Sequence, residues 1–346
     1  MIEDGLIVVG GEDVRTLLNG REKTLVDRIR NAYKAHEVGN SSMPHSSFLR
    51  FPSNDHDRII ALPAWLGDDQ RGNAGIKWIA SFPGNVKHGR DRASAIMVMN
   101  SMETGQPVAV LEASTISAKR TAAGAALAAE LIHSDPAIAS VGLMGCGVIN
   151  FEIARFLLAV FEQVERFVIH DTAPAVLDRF AAKLRKTFPQ VKKVESAGSV
   201  EAFLGSAPLL SLATNAGSPH ISSVSSCAAG TTVLHISLRD IAAAAMLEAD
   251  HVVDDVEHVC RERTSIHLAS QLAGGDTSFI RATIGEVLLG SKPPRRDRND
   301  VVVYSPFGLG ILDVALASFV IDQAVENGAG CFIENFIPVP WRRRED

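Results

Sequence analysis

Residues 141–150 read Val-Gly-Leu-Met-Gly-Cys-Gly-Val-Ile-Asn, and the apolar helical run FEIARFLLAVF follows at once. Just upstream, IASVGLM is a continuous apolar stretch of the kind that a strand buried on both faces requires. Strand, glycine turn and helix in that order put Gly145 and Gly147 at the first two positions of a G-x-G-x-x-G fingerprint, with Asn150 at the third. The spacing has a physical basis. One glycine permits the tight turn and the next lets backbone approach a pyrophosphate. The helix amino terminus, opened by Val148, Ile149 and Asn150, faces the anion. The next strand-like segment, VERFVIHD, ends on Asp171 some two dozen residues beyond Gly147. A carboxylate there binds a ribose diol and repels a 2′-phosphate, which points to NAD rather than NADP. Without a ligand, the glycines would make a plain strand-to-helix turn and Asp171 would cap a helix. After a further strand, PLLSLAT, Thr214 and Asn215 fall where a nicotinamide cofactor would pass, although both also suit an ordinary turn.

Working outward from this loop, strand-like and helical segments alternate through AVLDRFAAKLRKTF, VKKVES, SVEAFLG, TTVLHISL, AAAAMLEA and DHVVDD. The alternation predicts βαβ crossovers and an α/β fold, a Rossmann-type parallel sheet covered by helices. Toward the amino terminus the texture differs. Val14, Leu17, Leu18, Leu25, Ile29 and Tyr33 recur at helical spacing. Between 41 and 112, short apolar runs (SSFLRF, RIIALPAWL, GIKWIASF, SAIMVMN, PVAVLEA) are broken by Pro, Gly, Asn and Asp, the pattern of an antiparallel sheet. The alanine-rich helix STISAKRTAAGAALAAELI leads into the second domain, and the late helical run GILDVALASFVIDQAVEN is suited to return to the first.

Composition bounds the partners. At about 150 residues per domain, 346 residues correspond to roughly two domains, with 46% apolar and 21% charged residues. A net charge of −6 argues against broad attraction to nucleic acid or anionic lipid. The four cysteines are far apart, with neither a CxxC pair nor finger spacing, so no disulfide framework or structural zinc is expected. The amino terminus lacks the pattern of a secretory signal and no apolar stretch approaches 18 residues. The expectation is a cytoplasmic protein with no nucleic-acid or membrane partner. Asp254, Asp255, Glu257 and His258 lack open-site metal spacing, and no metal is expected.

Hydride chemistry on an amino acid needs cations for carboxylates and a group that moves protons. Lys77, in GIKWIASFPGN, lies inside an apolar strand-like run where a solvated lysine is unexpected, so it needs a buried partner. Arg92 and Arg120 are the other leading cations, and a guanidinium at Arg120 suits a bidentate carboxylate contact. For Lys77 and Arg120 the competing explanation is an internal ion pair. Asp240 follows the strand TTVLHISLR at its carboxyl end, the edge where parallel sheets place ligands, but it also suits a helix cap. His235, in the same strand, reads as a buried structural histidine.

Four ordered stretches resemble the ornithine cyclodeaminase/mu-crystallin family. GIKWIASFPGN is similar to its strand bearing the substrate lysine, SAKRTAAGAA to its arginine-threonine-alanine-alanine motif and VGLMGCGVIN to its cofactor loop. YSPFGLGILDVALA is similar to its serine, glycine and aspartate motif. The resemblance spans nearly the whole chain. It implies an NAD domain over 121–311 and an α+β substrate-binding and dimerisation domain built from both chain ends, 1–120 and 312–346, in a homodimer. It implies that Lys77 and Arg120 hold the substrate carboxylate, with Lys77 also part of the catalytic set. Asp171 would be the ribose acid and Asp240 the catalytic aspartate, while Phe307 and Gly308 would place backbone beside the substrate.

Two departures count against ornithine cyclisation. Leu238-Arg239-Asp240-Ile241-Ala242 replaces the family's glycine-glycine-aspartate loop, and Ile60 stands where an acid helps to hold ornithine's distal amine. MPHSSFLRF, RIIALPAWLG and VVDDVEHV are more similar to a subgroup that makes L-2,3-diaminopropionate for siderophores and peptide antibiotics. That subgroup implies NAD-dependent oxidative hydrolysis of N-[(2S)-2-amino-2-carboxyethyl]-L-glutamate, a small molecule with three carboxylates. Arg50 joins Lys77, Arg92 and Arg120 as a cation for them, with Arg239 as a weaker candidate. Asp240 would serve best with its pKa raised toward neutrality. The alternatives are a cyclodeaminase, a related amino-acid dehydrogenase or ketimine reductase, and a non-catalytic mu-crystallin-like binding protein.

Overall fold

The apolar runs that follow the glycine loop form an eight-stranded, all-parallel sheet in the computed structural model, which describes residues 5–68, 71–338 and 341. Its order is Lys193–Ser196, Arg166–His170, Ser140–Met144, Leu209–Leu212, Thr232–His235, Val302–Ser305, Asp250–Val253 and Ile280–Thr283. Every residue of Leu209–Leu212, Thr232–His235 and Asp250–Val253 is buried, so neither face of these strands meets water. This explains why their sequences lack polar alternation. The helices Val148–Val160 and Pro174–Thr187 make the first two crossovers. Chain order reverses between Ser140–Met144 and Leu209–Leu212, the switch point at which open α/β sheets bind ligands.

The other sheet is mixed. Its order is Cys331–Ile333, Leu6–Val9, Pro107–Glu112, Ala93–Asn100, Asn73–Ser81, Asn54–Leu66 and Ser41–Ser42, with Ser47–Phe51 also pairing on Asn54–Leu66. The run 41–112 is antiparallel throughout, with Leu62, Lys77 and Met97 in register across three strands. Both chain ends add strands that the periodicity did not reveal. Leu6–Val9 pairs in parallel with Pro107–Glu112, and Cys331–Ile333 closes that edge. The helix Gly310–Asn327 lies on one face of this sheet. A Cβ at Gly310 would sit 3.1 Å from the Ala64 Cβ and 3.5 Å from the Leu62 carbonyl oxygen, so glycine sets how near the helix approaches.

The chain divides into two compact units, one of residues 1–21, 35–120 and 310–346, the other of 22–34 and 121–309. The division differs from the boundaries expected from the sequence mainly at 22–34, which belongs with the parallel-sheet unit. Its helix buries Leu25, Ile29 and Tyr33. The Tyr33 hydroxyl lies 3.1 Å from that of Tyr304, and Arg30 pairs with Glu130 at 2.5 Å. Such contacts between residues far apart in sequence leave no periodic trace. Tyr33→Phe removes the phenol–phenol hydrogen bond, and differential scanning calorimetry should record a loss of about 1 kcal/mol. An unchanged melting temperature would mean that this bond does not stabilise the unit.

Candidate active site

In the mixed-sheet unit the decisive group is an acid within an apolar helix. Asp313 is fully buried (0% exposed), and Lys77 is 1% exposed. Lys77 Nζ donates to Asp313 Oδ2 at 2.6 Å and to Ser117 Oγ at 3.2 Å, while Arg120 Nε donates to Asp313 Oδ1 at 3.1 Å. The structure thus brings Lys77 and Arg120 together on one internal carboxylate, and the buried partner that the apolar surroundings of Lys77 demanded is Asp313. Two cations and one anion leave the cluster at +1. Arg120 is 12% exposed, and its two terminal nitrogens make no hydrogen bond among the described residues, so they remain able to grip a carboxylate. Burial pulls the Lys77 ammonium down to about 8, with Asp313 opposing the shift and Arg120 adding to it.

Arg50 and Arg92 occupy other strand positions. Arg50 is exposed and its guanidinium lies 5.2 Å from the Phe48 ring centroid, while Arg92 is half-buried at the start of Ala93–Asn100. Arg239, by contrast, donates to the Glu262 carbonyl at 2.7 Å. Asp313 is the residue to which the sequence reading gave no role. The signal was present: a lone acid within ILDVALASFVI, on a helix whose surrounding residues are buried, must be paired.

In the parallel-sheet unit, Gly145 adopts a φ of +89°, and a Cβ there would lie 2.4 Å from the Ala213 carbonyl oxygen. Glycine is therefore what lets the loops on either side of the switch point touch. Gly147 is different. It is exposed, extended and open around its missing Cβ, and it caps the helix Val148–Val160 without a side-chain hydrogen bond. Val148 is exposed and Ile149 half-buried, so the first-turn amides remain available to an anion.

Asn150 is not available in the same way. Its side chain is buried, donating to the Met144 and Gly145 carbonyls at 2.7 and 2.8 Å and accepting from Ser211 at 2.7 Å. The side chain at the third fingerprint position therefore stitches the loop to the neighbouring strand. Asp171, at the end of Arg166–His170, accepts from the Cys146 amide at 2.9 Å and the Ala173 amide at 3.0 Å, one bond to each oxygen. This tethers the acid to the glycine loop. Burial, and then Asp171, push the Cys146 thiol up to about 12, so it is no nucleophile.

Asp240 is fully buried, and Thr214 and Ser237 both donate to its carboxylate. Thr214 is thereby turned to the acid, and Asn215 follows it in the same loop. His235 Nε2 accepts from the Asp240 amide at 3.2 Å and lies 3.5 Å from Oδ2, and His220 Nδ1 is 3.8 Å from Oδ1. The following helix, Ala243–Met246, is capped by Ala242 without any side chain, so Asp240 is not its cap. Burial pushes the Asp240 carboxyl upward, but His235, Thr214 and His220 outweigh it and hold the pKa below the ordinary value. The expected rise toward neutrality is absent because hydroxyl donors and imidazoles favour the ionised form. Leu238, two residues earlier, has a φ of +66°, a strained conformation for leucine that accompanies the tight turn to the acid.

Phe307 and Gly308 are held by a residue not assigned this role from sequence. Asp254 accepts from their amides at 2.8 and 2.7 Å. Burial raises the Asp254 carboxyl to about 6, against the pull of the two amides.

A parallel sheet whose order reverses beside a glycine loop, with an acid at the end of the neighbouring strand, defines a Rossmann-type dinucleotide-binding class of fold. The family model described as "Ornithine cyclodeaminase/mu-crystallin family" matches residues 11–328, and the chain belongs to that family. It is 28% identical to the N-((2S)-2-amino-2-carboxyethyl)-L-glutamate dehydrogenase of Staphylococcus aureus over 330 residues, 94% of this chain and 97% of that one. Among solved structures, Thermococcus litoralis Delta(1)-pyrroline-2-carboxylate reductase in complex with NADH and L-proline superposes with a TM-score of 0.86. It is 21% identical, covering 94% of this chain and 99% of that one. An archaeal alanine dehydrogenase dimer with bound NAD superposes at 0.84 and 25% identity, covering 96% and 100%.

The buried triad yields a stability test. Asp313→Ala leaves Lys77 and Arg120 without their shared carboxylate and should cost about 3–5 kcal/mol, read from the melting temperature. A shift within the error of the wild-type value would show that the triad does not hold this unit together.

Proposed function

We propose that the protein is an NAD-dependent dehydrogenase that oxidatively hydrolyses N-[(2S)-2-amino-2-carboxyethyl]-L-glutamate to L-2,3-diaminopropionate and 2-oxoglutarate. The observation that carries the proposal is the buried Lys77–Asp313–Arg120 cluster, positive by one charge and with a free guanidinium edge, in a chain that aligns end to end with a dehydrogenase of that name. The glycine loop fits NAD. Uncapped amides at Val148 and Ile149 suit the pyrophosphate, the open space at Gly147 admits it, and Asp171 suits a ribose diol. NAD, when bound, accepts a hydride from the glutamate α-carbon of the secondary amine.

Lys77 and Arg120 hold the substrate carboxylate and fix its orientation. Oxidation leaves a carbon–nitrogen double bond, and water adds to its carbon. Asp240, already ionised, takes the proton from that water and returns one to nitrogen as the carbon–nitrogen bond breaks. One substrate, one NAD and one water thus give diaminopropionate, 2-oxoglutarate, NADH and a proton. His235 aims Asp240 through its backbone amide, and Asp254 holds Phe307 and Gly308 in place. The product suits siderophore or peptide-antibiotic assembly. No helix among the described residues is long and apolar enough to cross a membrane, in keeping with a cytoplasmic enzyme.

A homodimer completes the proposal. Leu49, Trp78 and Ile96 are exposed on the face of the mixed sheet opposite Lys77, where a second copy would cover them, and the archaeal alanine dehydrogenase relative is a dimer. That relative also favours a second possibility, direct oxidation of a simple amino acid.

Purified protein with NAD and the amino-carboxyethyl-glutamate conjugate should generate NADH, with 2-oxoglutarate and diaminopropionate identified by mass spectrometry. NADH from L-alanine alone would favour the second possibility. Proline and ammonia from ornithine, without net NADH, would make the protein a cyclodeaminase.

Lys77 adds a pH dependence. Only its protonated form attracts a carboxylate, so kcat/KM should fall as pH rises through about 8, and Lys77→Arg should move that limb upward. Folding stability has the opposite slope. The folded pKa lies below the ordinary 10.5, so between about 8 and 10.5 the folded chain binds fewer protons and this contribution to stability grows with pH. A limb that stays in place in Lys77→Arg would remove Lys77 from carboxylate binding.

A further inference from the structure

The face of the mixed sheet that bears Lys77 continues to a second cationic group. Register pairs point to the same face, and alternate residues along a strand share it. On Asn73–Ser81, that face therefore carries Lys77, Ile79 and Ser81, and Ser81 pairs with Arg58 on Asn54–Leu66. Arg58 in turn pairs with Arg50 on Ser47–Phe51, which places Arg50, Arg58 and Ser81 in one cross-strand row. On the other side Ser81 pairs with Ala93, and Arg92 immediately precedes it.

Two features of the row are unusual. Ser81 is buried, yet its hydroxyl has no hydrogen-bond partner among the described residues, and a buried polar group left unsatisfied costs about 1–3 kcal/mol unless something else engages it. Arg92 and Arg58 are both half-buried and close enough to interact. Burial first, and then the Arg58 charge, hold the Arg92 pKa below its ordinary value. Two neighbouring guanidinium groups beside such a hydroxyl offer donors suited to an anion with several oxygens. Ser81 lies four positions beyond Lys77, roughly 13 Å along an extended strand.

We propose that Arg58, Arg92 and the Ser81 hydroxyl form a second carboxylate subsite, which selects substrates bearing an anion distal to the carboxylate held by Lys77 and Arg120. Arg58 is then a specificity-determining residue. It binds the far carboxylate through its guanidinium while Ser81 donates its hydroxyl hydrogen, and Arg50 lies at the outer end of the same row. Simple monocarboxylic amino acids leave the subsite unfilled. The assignment of the distal anion to the glutamate side chain of the conjugate rests on the function proposed above.

The test compares the conjugate with its analogue in which the glutamate side-chain carboxylate is a carboxamide. KM and kcat are measured for wild type, Arg58→Gln and Arg92→Gln, with circular dichroism to confirm folding. Wild type should prefer the carboxylate by at least about tenfold in KM, the size of one charge-assisted hydrogen bond. Each variant should erase most of that preference. Equal KM values in wild type, or a full preference surviving in both variants, would overturn the subsite.

If wild type oxidises neither compound, the proposed function fails and the subsite is read separately by thermal shift with glutarate against glutaramate. Stabilisation by glutarate that Arg58→Gln loses would support it. Equal responses of the two proteins, or of the two ligands, would overturn it.

Discussion

One buried carboxylate organises the mixed-sheet unit. Asp313 sits where water cannot solvate it, and Lys77 and Arg120 reach it from a strand and from a second helix. Removing Asp313 leaves two cations without their counter-charge, in a medium that penalises them by several kcal/mol. The same pairing orders both cations. It fixes two long side chains that would otherwise lose rotamer freedom on meeting a ligand, and it leaves a net positive charge with unspent donors on Arg120. Burial pulls the Lys77 ammonium down to about 8, and Arg120 keeps two terminal nitrogens that make no hydrogen bond among the described residues.

The parallel-sheet unit solves a related problem with hydrogen bonds. Asp240 and Asp254 are both buried acids near the carboxyl ends of strands, yet their environments drive them apart. Asp240 collects hydroxyls and imidazoles and stays ionised, whereas Asp254 is desolvated and titrates close to 6 while gripping two backbone amides. One carboxylate accepts from side-chain hydroxyls and the other from backbone amides. Asn150 and Asp171 divide the glycine loop in the same manner, the first tying it to the sheet from within and the second tethering it from the next strand. A loop braced on two sides is rigid before any ligand arrives, which limits the ordering cost of binding.

Much of this was legible in the residues. Continuous apolar runs alternating with helical ones predicted the parallel sheet, because strands buried on both faces leave no polar positions. The broken, turn-rich stretch from 41 to 112 predicted antiparallel pairing for local reasons. The alternatives for Lys77 and Asp240 were less tractable. An internal ion pair and a carboxylate receptor need the same cation in the same apolar run, and in the folded chain Lys77 and Arg120 serve the first while Arg120 keeps donors for the second. For Asp240, the cap explanation fails because Ala242 occupies that position.

The sequence by itself determined the α/β class, the glycine loop with its paired acid, and the need for a partner to Lys77, since each depends on neighbours along the chain or on the solvation of a single residue type. Tertiary structure alone decided which partner. Lys77 and Asp313 are 236 residues apart, and no local period records such a meeting. It likewise decided that Asn150 points inward, that Thr214 serves Asp240, that 22–34 joins the parallel-sheet unit, and that Arg58 shares a row with Ser81. In each case the deciding term is the free energy of burying or satisfying a polar group against residues distant in sequence, a quantity that exists only once the chain has folded.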